Sequence, residues 1–178
     1  MSASERRRVV EYLEETQAGL LRAVEEFPAE FFATVPAVGC WSAADTLEHI
    51  LFVEGRALGR IKGAVQEPVD ASRKSDLEGR DEDLFAMVRE RSKRVESPAF
   101  AQPAGGKSRE ALVAGFQSAR AATIAFARET EADLRGHFAA HPLFGVLDCY
   151  QWLMLIPSHG ERHRKQIEEC REPSVLLD

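Results

Sequence analysis

Ser158-His159-Gly160-Glu161-Arg162-His163-Arg164-Lys165-Gln166 is the stretch on which the reading of this chain turns. At ~100° of rotation per residue, an α-helix brings residues three and four apart onto one face. His159 and His163 therefore stand one turn apart, and Gln166 follows on the same stripe. The apolar neighbours show which way that stripe points. Trp152, Leu155 and Ile156 before the pair, and Ile167 and Cys170 after it, fall on the same side, so the two imidazoles interrupt a stripe that should face a core. An unpartnered imidazole there carries a desolvation penalty of ~1–3 kcal/mol. Either a bound metal ion or hydrogen bonds to carbonyls or carboxylates would remove it. A metal would need a third ligand from elsewhere in the chain.

Outward from this stretch, helical periodicity runs from Asp148 to about Arg171. Pro157 lies inside it without the N–H that an interior residue donates, which predicts either a kink just before His159 or two helices. Three other long amphipathic helices precede it. Residues 5–27 carry Val9, Leu13, Thr16, Leu20, Val24 and Phe27 at three- and four-residue spacing, with Ser4 as the candidate N-cap and Pro28 as the stop. Phe31 and Phe32 predict a short turn tucked against the bundle. Trp41-Ser42-Ala43-Ala44-Asp45 opens the second helix, where Ser42 and Asp45 have the spacing of a capping box.

The second helix runs to about Gln66, with Ile50, Val53, Ala57, Ile61 and Ala64 on one face and Leu47, Leu51 and Leu58 beside them. Glu54 falls amid those leucines as a carboxylate expected to be partly buried and paired with an arginine. His49 lies near the edge of the apolar arc, close in rotation to Arg56 and Arg60, and periodicity alone makes it a surface histidine. The third long helix starts at Ser108 and carries Leu112, Phe116, Ala119, Thr123, Phe126 and Thr130 before fading ahead of Gly136.

Between the second and third helices lies a long connection from Glu67 to Lys107, with a short helix predicted over Asp83 to Val95. A crossover of that length makes two neighbouring helices parallel in an otherwise antiparallel bundle. His137 to Gly145 reads as a loop that His137 and His141 serve, the latter near the rim of the site. Nothing shows strand-like alternation of useful length. The expectation is one all-α domain spanning residues 1–178, a four-helix bundle with its crossover between helices 2 and 3.

Composition narrows the function classes. With 178 residues, 44% hydrophobic and 29% charged, the chain can bury a proper core. Its 23 basic and 29 acidic side chains give a net charge of −6, which argues against tracking nucleic-acid phosphates. The dense basic runs, Arg6-Arg7-Arg8 and Arg162 to Lys165, fall inside helical patterns. No stretch approaches the ~20 apolar residues of a membrane span and the polar start does not read as a signal peptide, so a cytoplasmic protein is expected. Cys40, Cys149 and Cys170 are an odd set without C-x-x-C spacing, expected as reduced thiols rather than a disulfide framework or zinc knuckle. Cys170 lies too far beyond His163 to join it as a ligand.

With these residues in place, the chain resembles the DinB-like superfamily of metal-binding four-helix bundles. The resemblance rests on Trp41-Ser42 followed by His49, the length of the crossover, His141-Pro142-x-Phe144-Gly145, Gln151-Trp152, and His159-x-x-Arg162-His163-x-x-Gln166-Ile167, and it covers nearly the whole chain. It implies an up-down-down-up bundle and makes His49, by its position after Trp-Ser, the third member of a metal triad with His159 and His163. It also implies several chemistries, among them transfer of low-molecular-weight thiols, thiol-dependent isomerisation and hydrolysis, and relatives that pair as homodimers.

Three histidines leave a divalent ion at least one open position, the pattern of a catalytic rather than a closed structural site. Imidazoles suit zinc, nickel or iron. A water or thiol in the open position loses its proton more readily, giving a nucleophile near neutral pH. The leading expectation is a metal-dependent enzyme that transfers a low-molecular-weight thiol to an electrophilic small molecule. Its rivals are a metal-dependent hydrolase or isomerase and a non-catalytic, dimeric, stress-related protein that its metal merely steadies. Around the triad, Gln166 is expected to bond a ligand or substrate, Asp45 either to cap its helix or to orient His49, and Arg162 either to contact an anionic substrate or to pair on the surface.

Overall fold

The computed structural model describes residues 1–70, 72–92 and 96–171. Helix α1 spans Ala3–Glu25, α2 Ala43–Ala64, α3 Asp81–Arg89, α4 Arg109–Glu129 and α5 Cys149–Glu169. Two strands, β1 (Phe138–His141) and β2 (Gly145–Asp148), form an antiparallel hairpin between α4 and α5. None of the described helices is long and apolar enough to cross a membrane.

Side-chain caps explain where the long helices begin. Ser42 Oγ accepts from the Asp45 amide at 3.1 Å, while an Asp45 carboxylate oxygen accepts from the Ser42 amide at 3.1 Å. This reciprocal pairing satisfies donors that the first turn leaves without helical partners. Ser108 caps α4 through the Ala111 amide, and Asp148 with Gln151 forms a further box on α5. For α1 the expected Ser4 is not the cap. Ser2 holds that place, because Glu5 stands at the position from which a carboxylate reaches back to the Ser2 amide, at 2.6 Å.

Contacts along their lengths fix the directions of the helices. Arg6 on the first turn of α1 donates to the carbonyls of Ala127 and Thr130 at the end of α4, and Arg109 at the start of α4 donates to Phe27 beyond the end of α1. These two helices are antiparallel. Glu54 with Arg120, and Gly115 against Leu51, set α2 parallel to α4. Arg171 pairs with Glu26, and Arg135 joins Glu5 to the α5 cap Asp148, so α5 runs parallel to α1. The result is up-down-down-up around a square. The crossover accounts for one parallel pair, α2 with α4; the bundle has a second, α1 with α5, because the first and last helices point the same way and close the square, while α1 and α2 follow one another in the chain yet stand diagonally. At Gly115 a Cβ would come within 2.9 Å of Leu51 Cδ2, so glycine lets the parallel α2 and α4 approach.

Pro157 lies within a single continuous α5, which corrects the two-helix alternative. The hairpin corrects the loop expected over 137–145. Strands of four residues, one of them Phe-Ala-Ala-His, are too short and too poor in β-branched residues to show a period-two pattern. A three-residue loop joins them, closed by Gly145 at φ +73°, where a side chain would collide with the Asp76 carboxylate. In the crossover, α3 runs Asp81–Arg89 where 83–95 was expected, since Glu90 turns to extended backbone. Val95 lies outside the described residues.

Two apolar clusters form the core, one around Leu13, Ile61, Phe85 and Leu153, the other around Leu20, Leu47, Phe116 and Ile167. Charge sits at the waist between them. Arg120, 0% exposed, grips Glu54, 2% exposed, through two bonds of 2.9 Å. It also donates to the Leu13 carbonyl at 2.7 Å and the Thr16 hydroxyl at 2.9 Å, while Thr123 donates to Glu54 at 2.9 Å. The buried, arginine-paired Glu54 expected from the leucine stripe is therefore present, tying α1, α2 and α4 together.

Candidate metal centre

Three histidines meet where α2 and α5 run antiparallel. His49 comes from the second turn of α2, and His159 and His163 from successive turns of α5. One ring nitrogen from each lies within 4.8 Å of the other two. His159 Nε2 is 3.2 Å from His49 Nε2 and 3.1 Å from His163 Nε2. Periodicity misplaced His49, which is 5% exposed rather than a surface residue. A 3-10 turn of the crossover, Ala99–Ala101, lies over that edge of α2, and no rotation argument confined to one helix can include it.

The outer nitrogens of two rings show which tautomer each holds. His49 Nδ1 is 2.8 Å from the Ala101 carbonyl oxygen. A carbonyl can only accept, so Nδ1 carries the proton and Nε2 presents a bare lone pair. His163 Nδ1 likewise donates to Gln166 Oε1 at 2.9 Å. Two lone pairs therefore face His159 Nε2, which could carry at most one N–H. The rings cannot satisfy one another, but a cation satisfies all three. Tetrahedral metal–imidazole bonds of ~2.0–2.1 Å would set the nitrogens ~3.3 Å apart, close to the observed spacing.

Burial favours the ligand form as well. It is the main cause that lowers the His49 pKa, pushes His163 down to about 3 and takes His159 well below its usual value, with the neighbouring imidazoles adding to the last two. Near pH 7 the triad holds neutral rings with no proton to displace. Trp41 walls one side, its ring centroid 4.7 Å from that of His49 and 6.4 Å from that of His163. The other side opens into a cleft of about 2290 Å³ whose lining includes Arg56, Phe100, His141, Trp152 and Ile156.

Gln166 is thus at the site, hydrogen-bonded to one of the rings. Asp45 is engaged as the cap of α2, and the orienting partner of His49 is the Ala101 carbonyl instead. Arg162 extends its Nη1 to the backbone carbonyls of Val88 and Glu90. His141 belongs to β1 on the cleft wall, where its ring lies 4.8 Å from Trp152. Cys149 and Cys170 are buried free thiols, and Cys40 is exposed and free. Burial pushes the Cys149 pKa up to about 12. Sequence reasoning missed Ala101, and no signal could have found it, since a carbonyl is common to every residue. Arg56 and Arg60 were noted only for their rotation beside His49.

Comparison with known proteins agrees with this architecture. YfiT from Bacillus subtilis, described as a probable metal-dependent hydrolase with an unusual four-helix bundle topology, superposes with a TM-score of 0.64 at 20% identity, over 96% of this chain and 87% of its own. The uncharacterized protein YuaE of Bacillus subtilis (strain 168) is 25% identical over 145 residues, covering 77% of this chain and 81% of its own length. The model of the DinB superfamily matches residues 12–167. With a match over most of its length and this helical topology, the chain belongs to the DinB superfamily.

Proposed function

We propose that His49, His159 and His163 hold a divalent metal ion and that the chain is a metal-dependent enzyme, transferring a low-molecular-weight thiol to an electrophilic small molecule. The observation that carries this reading is the convergence of three neutral imidazole nitrogens, without a carboxylate among them, at the wall of an open cleft. A bound divalent ion, its charge undiminished by anionic ligands, would supply Lewis acidity and make a thiol or water in its open position more acidic. Zinc, nickel and iron all suit this donor set.

The chain's own residues do the rest. Ala101 and Gln166 hold two rings in the tautomer that turns Nε2 inward, and Trp41 shields the ligands on one side. The cleft admits the electrophile. In the reaction the thiol proton leaves to solvent, the sulfur forms a bond to carbon, and the leaving group departs with the electron pair of the bond that breaks.

Hydrolysis is the second reading, favoured by the description of YfiT. A bound ion would acidify water too, but the groups bonded to the rings here are a carbonyl and an amide, neither of which is a base to help the water attack. A thiol starts nearer neutrality, with a pKa of ~8.5 before any activation against ~15.7 for water. Thiol transfer therefore leads.

Cobalt-substituted protein tests it. Adding 2-mercaptoethanol or cysteine should shift the visible spectrum, and 1-chloro-2,4-dinitrobenzene should then be consumed with release of chloride. Both effects should vanish in His49→Ala. Neither shift nor turnover with any thiol would end the thiol reading. If chelation lowered the melting temperature while thiols and esters alike stayed unreactive, a non-catalytic and metal-steadied protein would replace it.

A further inference from the structure

Beyond the histidines, the cleft follows the exposed face of α2. Arg56 and Arg60 stand on that face, ~10 Å and ~16 Å along the axis from His49 at a rise of ~1.5 Å per residue. Their guanidiniums lie over aromatic rings. Arg56 Cζ is 5.6 Å from the centroid of Phe52 and 5.1 Å from that of Phe100, and Arg60 Cζ is 6.0 Å from that of Trp152. Stacking of this kind uses the face of a guanidinium and leaves its N–H edge available.

Neither edge is used internally. Among the described residues, no carboxylate lies within ion-pair distance of Arg56 or Arg60, and neither side chain makes a hydrogen bond. Of the other arginines of the cleft, Arg73 lies over the Phe138 ring with the Asp70 charge nearby, and two are engaged. Arg91 donates to the Arg162 carbonyl and to Glu169, and Arg162 reaches the backbone of Val88 and Glu90. In a chain with 29 acidic side chains against 23 basic ones, two cations left without an acidic partner on one wall of one cleft are a specific arrangement.

The surfaces beside them are apolar. Phe52, Phe100 and Leu143 are 39%, 59% and 63% exposed, and Trp152 lines the same wall. A ligand that fits has an apolar or aromatic body and an anionic end. We propose that Arg56 and Arg60 form an anion-binding subsite that receives a carboxylate or similar oxyanion of the substrate, about two and three turns of α2 beyond His49. The word substrate rests on the function proposed above, whereas the subsite itself rests on the arginines and rings alone.

The pair 2-naphthoate and 2-naphthamide, alike in shape and different in charge, serve as probes. Their binding would be followed by calorimetry and by quenching of Trp152, on zinc-loaded and on chelator-treated protein. Both forms should bind the naphthoate roughly tenfold or more tightly than the amide, the discrimination expected of charge-assisted hydrogen bonds. Arg56→Gln with Arg60→Gln should erase the preference at unchanged melting temperature, since both side chains are exposed. The corresponding double lysine variant should keep part of it.

Equal affinity for the two probes in the unmodified protein, or no measurable binding of the naphthoate, would overturn the subsite. So would a preference that survives in the double glutamine variant. If that surviving preference also required zinc, the anion would be sitting at the histidines. Because chelated protein is one arm, failure of the metal reading, seen as absence of metal on elemental analysis, remains separate from failure of the subsite.

Discussion

Gln166 Oε1 lies 2.9 Å from His163 Nδ1, one turn of α5 beyond the ring it orients. The bond fixes the proton on the outer nitrogen and turns the inner lone pair toward His159. Such outer partners of ligating histidines are worth ~10–100-fold in metal affinity. Gln166→Leu is accordingly expected to weaken zinc binding by about that factor and leave the melting temperature of metal-free protein nearly unchanged. Competition against a chromophoric chelator measures it, and unaltered affinity would show that the amide does not position the ring.

Metal-linked stability follows from the same geometry. A ligand that binds only the folded chain stabilises it by ~2.7 kcal/mol at a hundred times its dissociation constant. For a chain of this size that is a rise of roughly 5–10 °C in melting temperature. Unmodified protein should show this rise as zinc is titrated in, and His49→Ala should not. A zinc-dependent rise of full size in the variant would mean that the ion is held elsewhere.

The waist of the bundle gives a prediction of the opposite kind. Glu54 and Arg120 are both buried and doubly bonded to each other. Removing one partner strands the other's charge, which typically costs ~3–5 kcal/mol, while replacing both with apolar residues of similar size is often neutral or stabilising. Glu54→Leu alone should therefore lower the urea midpoint severely, and Glu54→Leu with Arg120→Met should recover most of the loss. A double variant no more stable than the single one would show that the pair contributes more than the charge it neutralises.

Much of this architecture could be read from side-chain pattern, because long amphipathic helices repeat their apolar residues many times. Ser42 with Asp45 and Glu54 amid its leucines were legible for that reason: each breaks or starts a pattern whose remainder is clear. His159 and His163 were legible as a pair because α5 alone sets their relation. His49 was not, since its burial comes from the Ala99–Ala101 turn of another segment, and only the family resemblance placed it with the others. The hairpin gave four residues per strand, too few for periodicity to register. The orienting carbonyl of Ala101 belongs to the backbone, which carries no sequence identity.

His141 supplies the last prediction, on acid stability. Its ring sits between Phe144 and Trp152, with centroids 4.7 Å and 4.8 Å away, and its Nδ1 accepts the Leu143 amide at 3.1 Å. Protonating that nitrogen would break the bond. Burial first, and the positive charge of Arg60 second, push its pKa down to about 4, against ~6.5 in an unfolded chain. Between those values the unfolded state holds a proton that the folded state refuses, so stability falls as pH drops from ~6.5 toward ~4 and is independent of this group above that window. His141→Phe keeps an aromatic ring in the stack without the titration. Compared as metal-free proteins, so that acid release of an ion plays no part, the two should differ by a constant in melting temperature above pH ~6.5. Below it the unmodified chain should lose ground steadily. The triad titrates in both and largely cancels from the difference, His141 being the smallest of the causes that lower the His159 pKa, so a gap that stayed constant down to pH ~4 would show that His141 accepts its proton in the folded protein as readily as in the unfolded chain.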